Sequence, residues 1–268
     1  MSASLEILSA DNADFEDHKI IWEVFFAARS RGLSLKVHAP WLFSGPPFKC
    51  IRANYMDSRV GCAILKPCRQ EGIGAFGLIG FVCVRYEFRG CGVAQSILSK
   101  LLDEAKSMQL ASLILWTQAP QLYEKLGFSR SQDDVLYELP SLPDSEVVRL
   151  PKPLTTPLKG RYGPRGLPPF ASSAYQIKNG QAELLVLDCG GIMTLAEWNG
   201  PVNDVIDVVM KTRGQDWWVN ALLGDELLEE IHARLGDTLG EQPSARMVLN
   251  LSSTGDEYTQ DVRLLDRI

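Results

Sequence analysis

Residues 88–95 read FRGCGVAQ, with Arg89, Gly92 and Ala94 in an Arg-x-x-Gly-x-Ala spacing. A strand-forming run, GAFGLIGFVCVR (74–85), leads into them, and a run with helical spacing (94–108) follows. A glycine turn that opens directly into a helix exposes several backbone N–H groups at the positive end of the helix dipole, which favours an anionic group. Gly90 and Gly92 carry no side chain to block close approach, Ala94 is small at the first turn, and Arg89 adds positive charge at the mouth. These ingredients suit a pyrophosphate. Taken alone they fit a structural strand-to-helix turn equally well, because short Gly-x-Gly segments are common. Cys83 and Cys91 are nucleophiles by type, but no histidine partner stands nearby, so both read as small packing residues.

The order of motifs narrows the reading. About thirty residues after the loop comes LYEKLGF (122–128). "VRYEFRGCGVA" (84–94) and "LYEKLGF" together resemble the GNAT acyltransferase superfamily, and the resemblance covers roughly residues 5–139. It implies a mixed α/β (α+β) fold with a mostly antiparallel GNAT-type sheet flanked by helices, followed here by a second, smaller α/β domain. It also implies acetyl-CoA as co-substrate with no metal, and an N-acetyltransferase that transfers the acetyl group to a primary amine by direct attack on the thioester. By position, the backbone of Val82, Cys83 and Val84 would receive the pantetheine arm. Arg89, Gly90, Cys91, Gly92, Val93 and Ala94 would hold the pyrophosphate. Tyr123 would protonate the leaving thiolate, a task that suits a phenol with an ordinary pKa of about 10. Two departures from the family pattern bear on chemistry. The strand before the loop has no carboxylate to act as base, with Glu71 before it and Glu87 after it, and LWTQAPQLYEKLGF has no Asn ahead of the tyrosine. The alternative function is therefore a non-catalytic CoA-binding or regulatory protein.

The positioning elements are legible as periodicities. Asp14 to Arg31 reads as a helix ended by Gly32, and 48–57 with 59–67 as two strands joined near Asp57-Ser58. Within 94–108, Ala94, Ile97, Leu98, Leu101, Leu102 and Ala105 share one helical face. SLILWT (112–117) reads as a buried strand, and FSR and DVLYEL as strands closing this domain. Residues 140–169 hold eight of the 15 prolines and read as an extended linker lying along a domain surface. Residues 170–268 repeat the order strands, helix, strand, helix, strand, with Asn179-Gly180 as a hairpin signal and RMVLNL as the last strand. The organisation expected is thus 1–139, a GNAT domain; 140–169, a linker; and 170–268, a degenerate GNAT-like or accessory domain that walls the acceptor pocket or stabilises the fold. Asp204 and Asp207 would repel phosphate from the helix of this half, so no CoA site is expected there. Trp198, Trp217 and Trp218 read as core residues, with a pocket wall as the other option.

Composition bounds the rest. The chain has 268 residues and a net charge of −6. Residues 1–139 hold 15 basic and 15 acidic side chains, and 170–268 hold seven and 16, so nucleic-acid binding is not expected. An acidic surface could draw in a cationic amine, although a solvated face is the plainer reading. Six cysteines without a Cys-x-x-Cys pair and three histidines argue against zinc and for reduced, buried thiols. No apolar run suits a membrane span, and the N-terminus shows no signal-peptide pattern, so the expected compartment is the cytoplasm. The expected partner is a small-molecule or peptide amine, with a homodimer as an option.

Overall fold

The computed structural model describes residues 4–27, 33–44, 47–72, 74–131, 134–139, 141, 149–155, 157–212, 214–236, 240–243, 245–252 and 262–267. The first half runs β1 (Leu5–Ala10), α1 (Phe15–Ile21), α2 (Leu35–His38), α3 (Trp41–Ser44), β2 (Lys49–Tyr55), β3 (Ser58–Gln70), β4 (Gly74–Val84), α4 (Val93–Ser107), β5 (Ser112–Trp116), α5 (Pro120–Glu124), β6 (Ser129–Arg130) and β7 (Asp134–Leu139). The second runs β8 (Leu158–Gly160), β9 (Gly163–Arg165), β10 (Ser173–Asn179), β11 (Ala182–Asp188), β12 (Met193–Asn199), α6 (Val202–Lys211), β13 (Trp217–Leu222), α7 (Glu226–Leu235), β14 (Gly240–Pro243) and β15 (Arg246–Asn250).

The middle of β3 is buried on both faces, and its period of two decides which helix each side chain meets. Ala63 and Leu65 pack with Ile97, Leu98 and Leu101 of α4, the face expected from the helical spacing. Cys62 and Ile64 point the other way, to Ile20, Ile21 and Phe26. The first of those helices starts at Asp14 as expected. Its carboxylate accepts from Asp17 N, and the Asp17 carboxylate accepts from Asp14 N, a reciprocal cap. After Ile21 the turns widen into a π-helix over Trp22–Phe26. Residues 28–32, where the stop at Gly32 was expected, lie outside the described residues. Asp17 is fully buried and paired with Arg52 of β2 (2.7 Å) and Arg59 of β3, which fixes α1 to the sheet.

The sheets do not respect the boundary expected at residue 139. The first has the order β1-β2-β3-β4-β5-β15-β6, and the second β10-β11-β12-β13-β7-β14. DVLYEL therefore does not close the first sheet: β7 pairs antiparallel with β13 and β14. RMVLNL returns instead to the first sheet, where β15 lies antiparallel to β5 and β6. Each sheet has the same plan. Antiparallel strands end in one strand paired parallel with the next (β4 with β5, β12 with β13), a helix makes the crossover (α4, α6), and a strand from the other half follows. The two sheets thus share one strand plan, with one strand exchanged each way.

The proline-rich segment is more than a surface strap. Leu158 and Arg165 are buried, and β8 and β9 pair as a short hairpin. The Asp266 carboxylate accepts from Arg161 N (2.9 Å), Tyr162 N (3.2 Å) and Arg165 Nε (3.1 Å), so the end of the chain grips this hairpin. Lys66 Nζ donates to Tyr162 O at 2.6 Å from the first sheet. Leu167 N donates to Val37 O, and a Cβ on the adjacent Gly166 would stand 2.1 Å from His38 O, so only glycine fits this approach. Leu154 within this segment and Phe170 just after it are exposed.

Candidate functional site

Strand β4 is irregular where it leads into the loop. Gly80 pairs with Ile64 and Cys83 with Cys62, so Phe81 and Val82 stand opposite the single residue Ala63. This is a β-bulge, and Phe81 adopts a left-handed φ of 50° within it. Such backbone costs free energy in a bulky residue and concentrates at functional sites. Beside it, β4 and β5 pair only at Gly77–Leu113 and Leu78–Ile114. Beyond Leu78 the two strands diverge, and a cavity of about 890 Å³ occupies the opening.

Val82 and Val84 line this cavity, as do Arg89 and Ala94. The side chain of Cys83 faces the opposite way, into the core with Cys50 and Cys62, and is fully buried. Any part it plays at the cavity is through its backbone. A hydrogen bond with the neighbouring Cys83 thiol, and burial after it, hold the Cys62 thiol well above the ordinary range. The turn after β4 has the expected form: Tyr86–Phe88 make one 3₁₀ turn, Gly90 and Gly92 have φ of 76° and 78°, and Gly92 caps α4 without a side-chain partner. No acidic residue stands in the first turn of α4. Arg89 Nε donates to Val84 O at 3.2 Å, which ties the loop to the end of β4. Cys91 is exposed, unlike the buried thiols expected, and its Sγ lies 3.7 Å from Arg89 O. Val93 points inward to the core. An open helix N-terminus with no competing carboxylate, reached from a strand with a bare edge, fits a pyrophosphate and an extended arm.

Tyr123 lies on α5 and lines the same cavity, stacked edge-on against Phe128 at 5.9 Å. Burial first, and the Cys83 thiol second, push its phenol up to about 12. Among the described residues its hydroxyl has no hydrogen-bond partner, which leaves the proton available to a bound group.

The far wall comes from the second sheet and from residues 264–267: Leu136, Thr194, Trp218, Gln242, Leu264 and Arg267 all line the cavity. Trp218 is thus a wall residue, while Trp217 is core and Trp198 lines a separate hollow beneath Arg263. Arg267 sits over the ring of Trp116 at 4.7 Å. Its Nη2 donates to both oxygens of Asp134 (3.2 and 3.1 Å) and to Asn220 Oδ1 (2.7 Å). Asp134 also accepts from Trp116 Nε1 (2.9 Å) and Asn220 Nδ2 (2.7 Å), so β5, β7, β13 and the chain end meet there. Among the described residues no Asp, Glu or His lines the cavity, in keeping with the absence of a carboxylate from the sequence of β4. In the second half the matching helix start is closed differently. The Asp204 carboxylate accepts from Gln181 N at 3.1 Å and covers the first turn of α6.

The Phe81 bulge and Arg267 escaped the reading of the sequence. Gly77 and Gly80 inside a strand are the signal that could have flagged the bulge. Arg267 is remote in sequence from every motif.

Residues 16–128 match the family model described as the acetyltransferase (GNAT) family. Residues 16–128 are thus a GNAT-family acyltransferase region. No curated protein matches the sequence significantly. Among solved structures, a probable N-acyltransferase from Enterococcus faecalis V583 has a TM-score of 0.62 at 13% identity, over 92% of this chain and 73% of its own. A GCN5-related N-acetyltransferase from Kribbella flavida has a TM-score of 0.62 at 12% identity, over 93% and 72%. Another from Anabaena variabilis has 0.61 at 15%, over 91% and 72%. At such identities the likeness is one of fold, and it extends through both halves. The GNAT half supplies an acyltransferase framework. No helix among the described residues is long and apolar enough to cross a membrane.

Proposed function

We propose that the protein transfers an acetyl group from acetyl-CoA to a primary amine by direct attack. The observation that carries this reading is the cavity between the diverging β4 and β5, which joins the bulge, the Arg89–Ala94 turn and Tyr123. Amides at the start of α4 and the Arg89 guanidinium bind the pyrophosphate. The unpaired edge of β4 over Val82–Val84 orients the pantetheine arm as an added strand would. Acetyl-CoA supplies the activated thioester. The amine nitrogen forms a bond to the thioester carbonyl carbon, the carbon–sulfur bond breaks, and the sulfur takes the proton of Tyr123 Oη. The proton released by the amine restores the phenol or passes to water. In this reading a backbone N–H of β4 polarises the carbonyl oxygen. With no carboxylate or imidazole on the described lining, the amine enters already deprotonated or loses its proton to water.

Calorimetric titration with acetyl-CoA, followed by a thiol-release assay over an amine panel, tests this. Saturable binding with turnover on at least one amine is the expected result. Binding without turnover on any amine would overturn the catalytic reading, and absence of binding would overturn the cradle.

A further inference from the structure

On the acceptor side of the cavity the charged side chain of the described lining is Arg267, paired from behind with Asp134. Arg89 is accounted for at the pyrophosphate end, where it also holds Val84 O. Arg267 is the other cation on the described lining, and no Asp, Glu or His of that lining faces it. Its three hydrogen bonds all leave from Nη2. Nη1 makes none, and Nε is buried without an acceptor. A guanidinium carries five donors in a planar fork that matches a carboxylate. Asp134 is fully engaged by Trp116, Asn220 and Nη2, so it anchors the group from behind without reaching Nε. The ring of Trp116 fixes the guanidinium plane. The described lining is largely apolar, with Leu136, Trp218, Leu264 and Phe170, and carries uncharged polar side chains at Thr117, Gln118, Thr194 and Gln242. Buried donors without acceptors are rare in folded proteins; Nη1, which makes no hydrogen bond and is not buried, is the donor left open on this lining.

We infer that the acceptor is an amine whose apolar skeleton carries a carboxylate, in the manner of an apolar amino acid, and that Arg267 receives that carboxylate. The inference rests on the N-acetyltransferase reading above. It differs from the option that an acidic surface draws in a cationic amine. A polyamine would meet no carboxylate on the described lining, since Asp134 lies behind Arg267 and is already held by it, Trp116 and Asn220.

The test uses the full chain saturated with acetyl-CoA or CoA. Amino acids from alanine to tryptophan are compared with their carboxamides and with spermidine by kcat/KM. The matching N-acetyl amino acids and amides are compared by ligand-observed NMR with CoA bound. The expected result is a preference for carboxylate over amide of tenfold or more in both readouts, strongest for an apolar side chain. In Arg267→Gln that preference disappears while acetyl-CoA affinity stays within about twofold, and Arg267→Lys retains part of it. If Arg267→Gln does not fold, the wild-type comparison still decides. Equal or better use of the amide or of spermidine overturns the inference. So does failure of every carboxylate to bind while acetyl-CoA binds normally, which leaves the donor site standing. Loss of acetyl-CoA binding in the wild type overturns the reading beneath it instead.

Discussion

At the scale of single residues, burial sets the chemistry. Tyr123 is held at about 12, so it remains protonated across the physiological range and serves as a donor. Tyr123→Phe keeps the ring packing against Phe128 and removes only the proton. It should lower kcat by about 10- to 100-fold and leave the acetyl-CoA dissociation constant nearly unchanged, measured by steady-state kinetics and calorimetry. In the parent enzyme, Tyr123 should cause no loss of rate until pH approaches about 12. Lys66 makes the complementary case for stability. Burial holds its ammonium down to about 8, against 10.5 in the open chain, and its side chain is almost wholly covered. The unfolded state therefore binds more protons between these values, and stability rises with pH through the window from about 8 towards 10.5. The difference amounts to about 3 kcal/mol in all, at about 1.4 kcal/mol per unit. Thermal melts at stepped pH should show the rise, and Lys66→Met should flatten it. An unchanged pH profile in the variant would refute the assignment to Lys66. Arg267 and Lys66 have no motif around them, and nothing in their neighbours announces a buried cation. Their roles come from residues more than forty positions away in sequence.

At the scale of elements, local pattern carried most of the information. The amphipathic face of α4, the Asp14 cap, the glycine turn and the β10–β11 hairpin are all consequences of residues within a few positions of one another, and each formed where the periodicity put it. The parity of β4 was equally readable: Val82 and Val84 share one face and Cys83 the other, so a side-chain role for Cys83 beside the valines was excluded by period two alone. What local pattern does not contain is a partner. A six-residue strand such as β7 has the same alternation whichever sheet receives it, and the proline count placed a boundary where pairing did not. Two predictions belong here. Gly92 has a φ of 78° and open space where its Cβ would be, so strain rather than collision is what a side chain brings there. Gly92→Val should reshape the turn and weaken acetyl-CoA binding by tenfold or more, read by calorimetry, while the melting temperature drops only modestly. Asp17→Ala strips the shared carboxylate from two arginines at the α1–sheet contact. A loss of about 3–5 kcal/mol is expected in urea unfolding.

At the scale of the whole molecule, the exchanged strands join the two halves into one folding unit. β7 supplies an interior strand to the second sheet and β15 one to the first, and neither sheet is complete without the other half. Asp134, Trp116, Asn220 and Arg267 then lock the exchange at the cavity wall. Unfolding in urea should accordingly be a single transition, with far-ultraviolet circular dichroism and tryptophan fluorescence coincident, because Trp116 and Trp217 report on different sheets. Two separated transitions would show that the halves fold independently. The exchange also sets a timetable for synthesis. The edge of β5 that receives β15 is made early, yet its partner leaves the ribosome more than a hundred residues later. At about 5–20 residues per second that interval is on the order of ten seconds. For that time the nascent first half presents an unpaired, apolar strand edge, the kind of surface that recruits a neighbouring chain. Chaperone demand and the yield of soluble protein should therefore depend on how quickly residues 140–250 are translated.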